Sequence, residues 1–133
     1  AASVFDFELN IASPADFAPD SDLLAANRDR VSLFTSPRQA VADVDLVVTD
    51  VWASMGQESE KAKRLIAFAD FEVSRELMSL AKADALFMHC LPAWRGMEVT
   101  TDVIDGPQSA VFDEAENRLH AQKAILAWCV SGN

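Results

Sequence analysis

The sequence predicts an α/β fold, a doubly wound parallel sheet with helices on both faces. Strand-like apolar runs alternate with amphipathic segments along the 133 residues, the order typical of βαβ units with right-handed crossovers. One run, at residues 46–49, is apolar and β-branched almost throughout, as in a parallel strand that is covered on both faces. Half of the residues are hydrophobic and only four are glycine, which is enough apolar material for the core of one domain.

Four predicted strands supply the sheet. They span residues 4–11, 31–35, 46–49 and 85–88. The first alternates apolar and polar side chains, the period-two pattern of a strand with one face in solvent. The third should lie centrally. The fourth ends before Pro92, since proline has no amide hydrogen with which to continue the ladder.

Helices are predicted from capping residues and from apolar periodicity. They cover residues 21–27, 36–42, 59–68, 74–81 and 113–130, and a short segment of unassigned type lies at 100–104. Asp20 or Ser21 can cap the first of them, and Ser74 can cap the fourth. Ser36 and Pro37 are typical of an N-cap and a first helical residue.

Two helices have an apolar face that predicts how they pack. In the helix from residue 59 this face consists of Ala62, Leu65, Ile66 and Phe68. In the last helix the residues expected to face the body are Leu119, Ile125, Leu126 and Cys129. We therefore expect the last helix to dock along its length.

Charge and composition exclude several classes of function. The net charge of −10 and the pI of about 4.4 oppose binding to phosphate backbones, so no nucleic acid partner is expected. No apolar run approaches the roughly 20 residues that span a bilayer, and we expect no membrane association and a cytoplasmic protein. Cys90 and Cys129 are too few for a disulfide framework and match no zinc-ligand spacing.

Asp50 and Cys90 are the first candidates for chemistry, because each directly follows a predicted parallel strand. The carboxyl ends of such strands meet at the edge of the sheet where ligands bind. A carboxylate there can bind an ammonium group, and a thiol can exchange a proton with an amine. The alternatives are a loop-capping carboxylate and an inert buried thiol. His89 and His120 are weaker candidates, since each is more often a structural histidine.

Two further groups could contact a ligand. Residues 54–56 offer a hydroxyl and backbone amides to a carboxylate, with an ordinary loop as the alternative. Arg118, in the first turns of the last helix, can donate several hydrogen bonds to a polarised carbonyl or a phosphate. Its alternative is a surface ion pair with Glu114 or Glu116.

Three segments together resemble the ornithine carbamoyltransferase family. They are DVWASMGQE at residues 50–58, HCLP at 89–92 and EAENR at 114–118. The related aspartate carbamoyltransferases carry proline in place of Cys90 and lack the Ser-Met-Gly loop. The resemblance covers nearly all of residues 1–133 as the family's C-terminal, ornithine-binding domain, here a partial Rossmann-like domain.

The resemblance implies transfer of the carbamoyl group from carbamoyl phosphate to the side-chain amine of L-ornithine, which gives citrulline and phosphate. The residues implied to hold ornithine are Asp50, Ser54 and Met55, the last through its backbone. Cys90 would lie near the attacking amine, while the backbone carbonyl of Leu91 and the side chain of Arg118 would orient the carbamoyl group. No metal or organic cofactor is implied. The full-length protein is expected to be a homotrimer or a higher homo-oligomer.

The family's N-terminal, carbamoyl-phosphate-binding domain has no counterpart here, and the first strand and helix of its second domain are missing too. We therefore expect a fragment of a longer enzyme, inactive on its own, with unpaired backbone groups where the missing strand belongs. Each such group costs about 1–3 kcal/mol if it is buried. The alternatives are a non-catalytic ligand-binding or assembly module of the same fold, or a carbamoyltransferase for another amine.

Overall fold

Two pairs of parallel strands form the framework of the protein. The computed structural model describes residues 1–53 and 58–132, with the backbone alone at residues 58 and 59. Strand β1 (Leu9–Ala12) pairs with β2 (Val31–Phe34), and β3 (Leu46–Thr49) pairs with β4 (Leu86–His89), both in parallel. Helices connect the strands and lie on both sides of them. This confirms the predicted α/β class.

Seven α-helices lie within the described ranges. They are α1 (Ala2–Phe5), α2 (Ser21–Ala26), α3 (Pro37–Ala40), α4 (Glu58–Ala67), α5 (Arg75–Met78), α6 (Thr101–Ile104) and α7 (Val111–Ser131). Short 3-10 turns occupy Ala15–Phe17 and Ala69–Phe71. None of the helices in this part of the chain is long and apolar enough to cross a membrane.

Local capping signals place the helix starts. Asp20 caps α2, because its Oδ1 accepts the N–H groups of Asp22 and Leu23, each at 3.0 Å. Ser74 caps α5 through a hydrogen bond from the Leu77 N–H at 3.2 Å. The predicted helix starts are therefore confirmed at these two positions, with Asp20 as the cap of α2.

The predicted strand over residues 4–11 is wrong in its first half. Helix α1 occupies Ala2–Phe5, and strand β1 begins only at Leu9. Asp6 ends the helix with φ of 56°, in the left-handed region that aspartate tolerates better than most residues. Phe5 and Phe7 remain exposed. The alternation of apolar residues before Leu9 thus does not mark a buried strand face.

Strand β3 is not covered on both faces as the sequence predicted. Its Val47 is buried, but Val48 is 60% exposed and Leu46 is exposed as well. Among the described residues β3 pairs only with β4, so the two strand pairs form separate sheets and β3 is not central. A uniformly apolar strand sequence indicates that both faces of the strand are covered in the complete protein. The described residues of this chain cover only one of these faces.

The predicted packing faces of two helices are also wrong in part. The apolar residues of α7 that were expected to face the body, Leu119, Ile125, Leu126 and Cys129, are all exposed. Only the start of α7 is anchored, at the buried Val111. In α4, Leu65 is half-buried, as is Phe68 directly after the helix, whereas Ala62 and Ile66 are exposed. Periodicity marks which residues share a face, but it does not supply the partner for that face.

The core lies beside the β3–β4 pair, under α5, α6 and the first turn of α7. Its most deeply buried apolar members are Phe87, Val99 and Val111. Burying one side chain of this size contributes about 1.5–3 kcal/mol. The packed half of the molecule is therefore the half that carries the carboxyl ends of β3 and β4.

Candidate functional site

The register of the β3–β4 pair brings Asp50 and Cys90 together. Thr49 is paired with His89, so the residues that follow leave the sheet side by side. The Cys90 thiol donates a hydrogen bond to Asp50 Oδ1, with 3.3 Å between sulfur and oxygen. The same oxygen accepts the Val51 N–H at 2.7 Å, so Asp50 also caps its own loop. Both side chains are exposed at the edge of the sheet, and Cys90 is not the buried inert thiol of the alternative.

The surroundings of Cys90 favour its protonated form. Desolvation raises the pKa of the thiol above its ordinary value, and the hydrogen bond to Asp50 and the negative charges of Asp50 and Glu114 raise it further. A thiolate beside carboxylates would be repelled by them. At neutral pH this edge therefore presents a neutral thiol and an anionic carboxylate, a pair suited to holding an amine.

The segment between α6 and α7 brings the last helix to the same edge. The Phe87 N–H donates to the Gln108 carbonyl at 2.8 Å, and the Ala110 N–H donates to the Phe87 carbonyl at 2.9 Å. These bonds fix the chain beside β4 just before Val111 begins the helix. The first turns of α7 consequently stand next to Cys90.

A cavity of about 330 Å³, here called the edge cavity, lies between Cys90 and α7. Its lining residues are Cys90, Glu114, Ala115, Asn117, Arg118 and Ala121. Within the described side chains Arg118 forms no ion pair, contrary to the alternative of a surface pair with Glu114 or Glu116. Glu114 Oε2 is buried and accepts no hydrogen bond from the part of the chain that the structure describes. The edge cavity is thus lined by a basic and an acidic residue beside the Cys90 thiol.

His89 and Glu98 lie buried directly behind this edge. The Leu91 N–H donates to His89 Nδ1 at 2.9 Å, and His89 Nε2 lies 3.3 Å from Glu98 Oε1. Glu98 Oε1 also accepts the Trp94 N–H at 2.6 Å. The expectation of a satisfied structural histidine therefore describes the contacts of His89. His120 is an exposed residue of α7, and its Nε2 is 3.6 Å from Glu116 Oε1.

Asp50, His89 and Cys90 also have the spacing of a possible metal site. One ligand atom from each lies within 4.8 Å of the others. Both imidazole nitrogens of His89, however, already have protein partners. A metal ion bound through this ring would have to displace one of them.

Three predicted site residues remain, and one of them lies within the described part of the chain. Leu91 follows Cys90 in the loop and has φ of 55°. Ser54 and Met55, predicted to hold ornithine, lie outside the described residues.

Sequence reasoning missed Glu98 and Glu114 as groups behind and beside the site. Glu114 stood within the EAENR segment and could have been found there, while nothing in the spacing of Glu98 marks it.

A parallel α/β framework with ligand-binding groups at the carboxyl ends of its strands defines a Rossmann-like ligand-binding domain. The family model of the Asp/Orn binding domain of aspartate/ornithine carbamoyltransferase matches residues 1–129. The chain belongs to this family.

Known relatives agree with this assignment. An ornithine carbamoyltransferase from Nitrosococcus oceani is 65% identical over 126 residues, which cover 95% of this chain and 41% of that protein. The crystal structure of the Burkholderia thailandensis enzyme of that name is 49% identical with a TM-score of 0.81, over 94% of this chain and 39% of that one. The anabolic enzyme from Campylobacter jejuni is 33% identical with a TM-score of 0.89, over 99% and 46%. The chain therefore spans less than half the length of these relatives.

Proposed function

We propose that the protein to which this chain belongs transfers the carbamoyl group of carbamoyl phosphate to the side-chain amine of L-ornithine, giving citrulline and phosphate. The observation that carries the proposal is the Cys90–Asp50 hydrogen bond beside the Arg118-lined edge cavity. The likeness to proteins named ornithine carbamoyltransferase supports it. Because the chain spans 41% of the Nitrosococcus oceani protein, we assign the carbamoyl-phosphate side of the site to the rest of the longer protein and residues 1–133 to its ornithine side.

The amino acid is held at the carboxylate end of the site. Asp50 accepts hydrogen bonds from an ammonium group of ornithine, a charge-assisted contact stronger than one between neutral groups. Ser54, through its hydroxyl, and Met55, through its backbone, hold the remaining polar groups of the substrate. The neutral thiol of Cys90 lies near the amine that attacks.

The transfer itself requires an uncharged amine and stabilisation of a developing oxyanion. The side-chain nitrogen of ornithine attacks the carbonyl carbon, phosphate leaves with the electrons of the broken C–O bond, and the proton lost by the nitrogen passes to the departing phosphate. Arg118 donates hydrogen bonds to the carbonyl oxygen as it becomes negative. The backbone carbonyl of Leu91 accepts from the carbamoyl NH₂ and orients the group for attack.

The direct test is mutation of the thiol and the carboxylate in the full-length protein. We expect Cys90→Ala and Asp50→Ala each to lower the rate of citrulline formation by about 100-fold or more, the loss that follows when a reacting amine is misplaced by about 1 Å. Cys129→Ala is the matched control, because this second cysteine is exposed near the far end of α7. Near-normal rates for both site variants would contradict the assigned roles.

A second candidate is carbamoyl transfer to another amine. The family description includes aspartate as well as ornithine, so the fold alone does not select the acceptor. A panel of amine substrates, assayed by phosphate release, separates the two. Calorimetric titration with ornithine, with and without carbamoyl phosphate, tests the remaining alternative of a non-catalytic ligand-binding or assembly module. Binding of neither compound would leave only the assembly module.

We further propose, from the family resemblance, that the full-length protein is cytoplasmic and forms a homotrimer or a higher homo-oligomer. The mass in analytical ultracentrifugation distinguishes a trimer from a monomer or a larger assembly. A stable monomer with full activity would contradict the oligomer.

A further inference from the structure

Two titratable side chains are fully buried in the part of the chain that the structure describes. His89 is 0% exposed and Glu98 is 1% exposed. Burial of such groups is unfavourable unless each polar atom finds a partner inside the protein. The mechanism proposed above uses neither residue, so their burial calls for another explanation.

The hydrogen bonds fix the tautomer of the His89 ring in this arrangement. A backbone N–H can only donate, so Nδ1, which receives the Leu91 N–H at 2.9 Å, is the unprotonated nitrogen. The ring proton is then on Nε2, where it faces Glu98 Oε1 at 3.3 Å. Neither nitrogen is left for the Cys90 thiol, which donates to Asp50 instead. His89 is therefore not placed to act as a base toward Cys90.

The pair instead holds two amides of the loop that follows Cys90. His89 holds the Leu91 N–H, and Glu98 Oε1 holds the Trp94 N–H at 2.6 Å. Leu91 has φ of 55°, a left-handed conformation that is uncommon for a residue with a large side chain. Such a conformation persists only where the surroundings impose it. The hydrogen bond from Leu91 to His89 is one such constraint.

Glu98 is in turn attached to the body of the domain. Its carbonyl accepts the Val73 N–H at 2.9 Å, and the Val73 carbonyl accepts the Thr100 N–H at 3.1 Å. Val73 and Val99 are both buried in the core. The chain of contacts therefore runs from the core through Glu98 and His89 to the backbone of Leu91.

We propose that His89 and Glu98 are positioning residues that set the backbone of Leu91, and with it the carbonyl that orients the carbamoyl group. This rests on the proposed function, because it is the carbamoyl group that gives the Leu91 carbonyl its role. The pair acts through the loop and does not touch the reacting atoms. A reacting group that is displaced by about 1 Å can lose about 100-fold in rate, so the placement of this one carbonyl has a measurable effect.

The experiment compares His89→Asn with His89→Gln in the full-length enzyme. The side-chain oxygen of asparagine can occupy the position of Nδ1 and accept the Leu91 N–H, whereas glutamine places its polar atoms one bond farther out. Glutamine can instead place an amide N–H near the position of Nε2 and so retain the contact to Glu98, which asparagine loses. A role limited to that buried contact therefore predicts the higher kcat for His89→Gln, a result that would also overturn the proposal. We expect kcat to fall by about 100-fold in His89→Gln, with KM for ornithine little changed, and His89→Asn to recover most of this loss.

Equal kcat values in the two variants, whether both high or both low, would overturn the proposal. If His89→Gln does not fold, the comparison of Glu98→Gln with Glu98→Ala replaces it. Glutamine retains an oxygen for the Trp94 N–H and for His89, so Glu98→Gln should retain kcat and Glu98→Ala should lose it. The reverse order, or no difference, contradicts the proposal.

Hydrogen exchange of the Leu91 amide, read by NMR after ¹⁵N-leucine labelling, separates this proposal from the proposed function. We expect slow exchange in the unmutated protein and in His89→Asn, and faster exchange in His89→Gln. An unmutated protein that forms no citrulline would refute the proposed function. The exchange rates would still test the hydrogen bond between the Leu91 N–H and His89. Equal exchange in all three proteins would refute the positioning role while leaving the function intact.

Discussion

At the scale of single residues, the reactivity of Cys90 depends on the carboxylate beside it. Desolvation is the largest cause that raises the pKa of this thiol, and Asp50 adds both a hydrogen bond and a charge. A raised pKa means that less thiolate is present at a given pH above neutrality, so alkylation is slow until the pH approaches that pKa. The thiol is therefore exposed, and its raised pKa makes it less reactive at neutral pH than an ordinary exposed cysteine.

We expect Asp50→Asn to speed the alkylation of Cys90 by iodoacetamide several-fold at pH 8. The substitution removes the charge and weakens the hydrogen bond, so the pKa of the thiol falls toward its ordinary value while the effect of desolvation remains. Mass spectrometry of the modified peptides gives the rate at each cysteine. Cys129, which is exposed near the end of α7, is the internal control and should react at an unchanged rate. Slower or unchanged alkylation of Cys90 would show that Asp50 does not raise the pKa of this thiol.

The contact between Asp50 and Cys90 could be predicted from the sequence because it depends on a general property of parallel strands. Each residue directly follows a strand, and the carboxyl ends of neighbouring strands converge. Glu98 could not be predicted in this way. Its contact with His89 arises because the loop turns back nine residues later, and no periodic pattern encodes such a turn. His89 was recognisable as a structural histidine, but its two partners were not.

At the scale of elements, short-range signals were reliable and long-range packing was not. Ser74 and Asp20 cap helices as their residue types suggest, because a cap depends on backbone amides only two or three positions away. The face of α7 and the face of β3 that are exposed in the structure were predicted to be buried. Apolar residues indicate that a face packs against other structure, but they do not identify the residues that pack against it. The prediction of the first strand was wrong for a local reason. Asp6 ends helix α1 in a left-handed conformation, and the strand begins only at Leu9.

We expect Asp20→Ala to lower the free energy of unfolding of the domain by about 0.5–2 kcal/mol, and Asp20→Asn to lower it much less. Asparagine keeps an oxygen that can accept the N–H groups of Asp22 and Leu23, which Asp20 accepts at 3.0 Å. Urea denaturation of the full-length protein, followed by far-UV circular dichroism, gives the three free energies. Equal losses for both substitutions would mean that the charge of Asp20, and not its cap, stabilises α2.

At the scale of the whole molecule, many large apolar side chains of this chain are exposed. Exposed large apolar side chains occur on α1, on both strand pairs and along α7. They include Val4, Phe5, Val48, Ile66, Phe112, Leu119, Ile125, Leu126, Trp128 and Val130. Exposed apolar faces of helices and strands are surfaces that a protein covers with other structure. The chain covers 41% of the Nitrosococcus oceani protein, which agrees with its being part of a longer protein.

We expect the purified 133-residue chain to bind the dye ANS strongly and to melt without a sharp cooperative transition. Its exposed apolar side chains bind the dye, and its two strand pairs share no ladder hydrogen bonds in the described part of the chain, which weakens the cooperativity of unfolding. Fluorescence and calorimetry measure the two properties. The full-length protein is the control and should bind little dye. A cooperative transition of native-like stability in the short chain would refute the interpretation as a fragment.

The alignment of Thr49 with His89 determines where this chain can change its length. One extra residue within β3 or β4 would shift the acid or the sulfur along its strand by about 3.3 Å and turn it to the opposite face of the sheet. Extra residues in the long connection between the two strands leave the ladder as it is. Among insertions between β3 and β4, those that leave both strands and the segment of Ser54 and Met55 unchanged are therefore compatible with the chemistry.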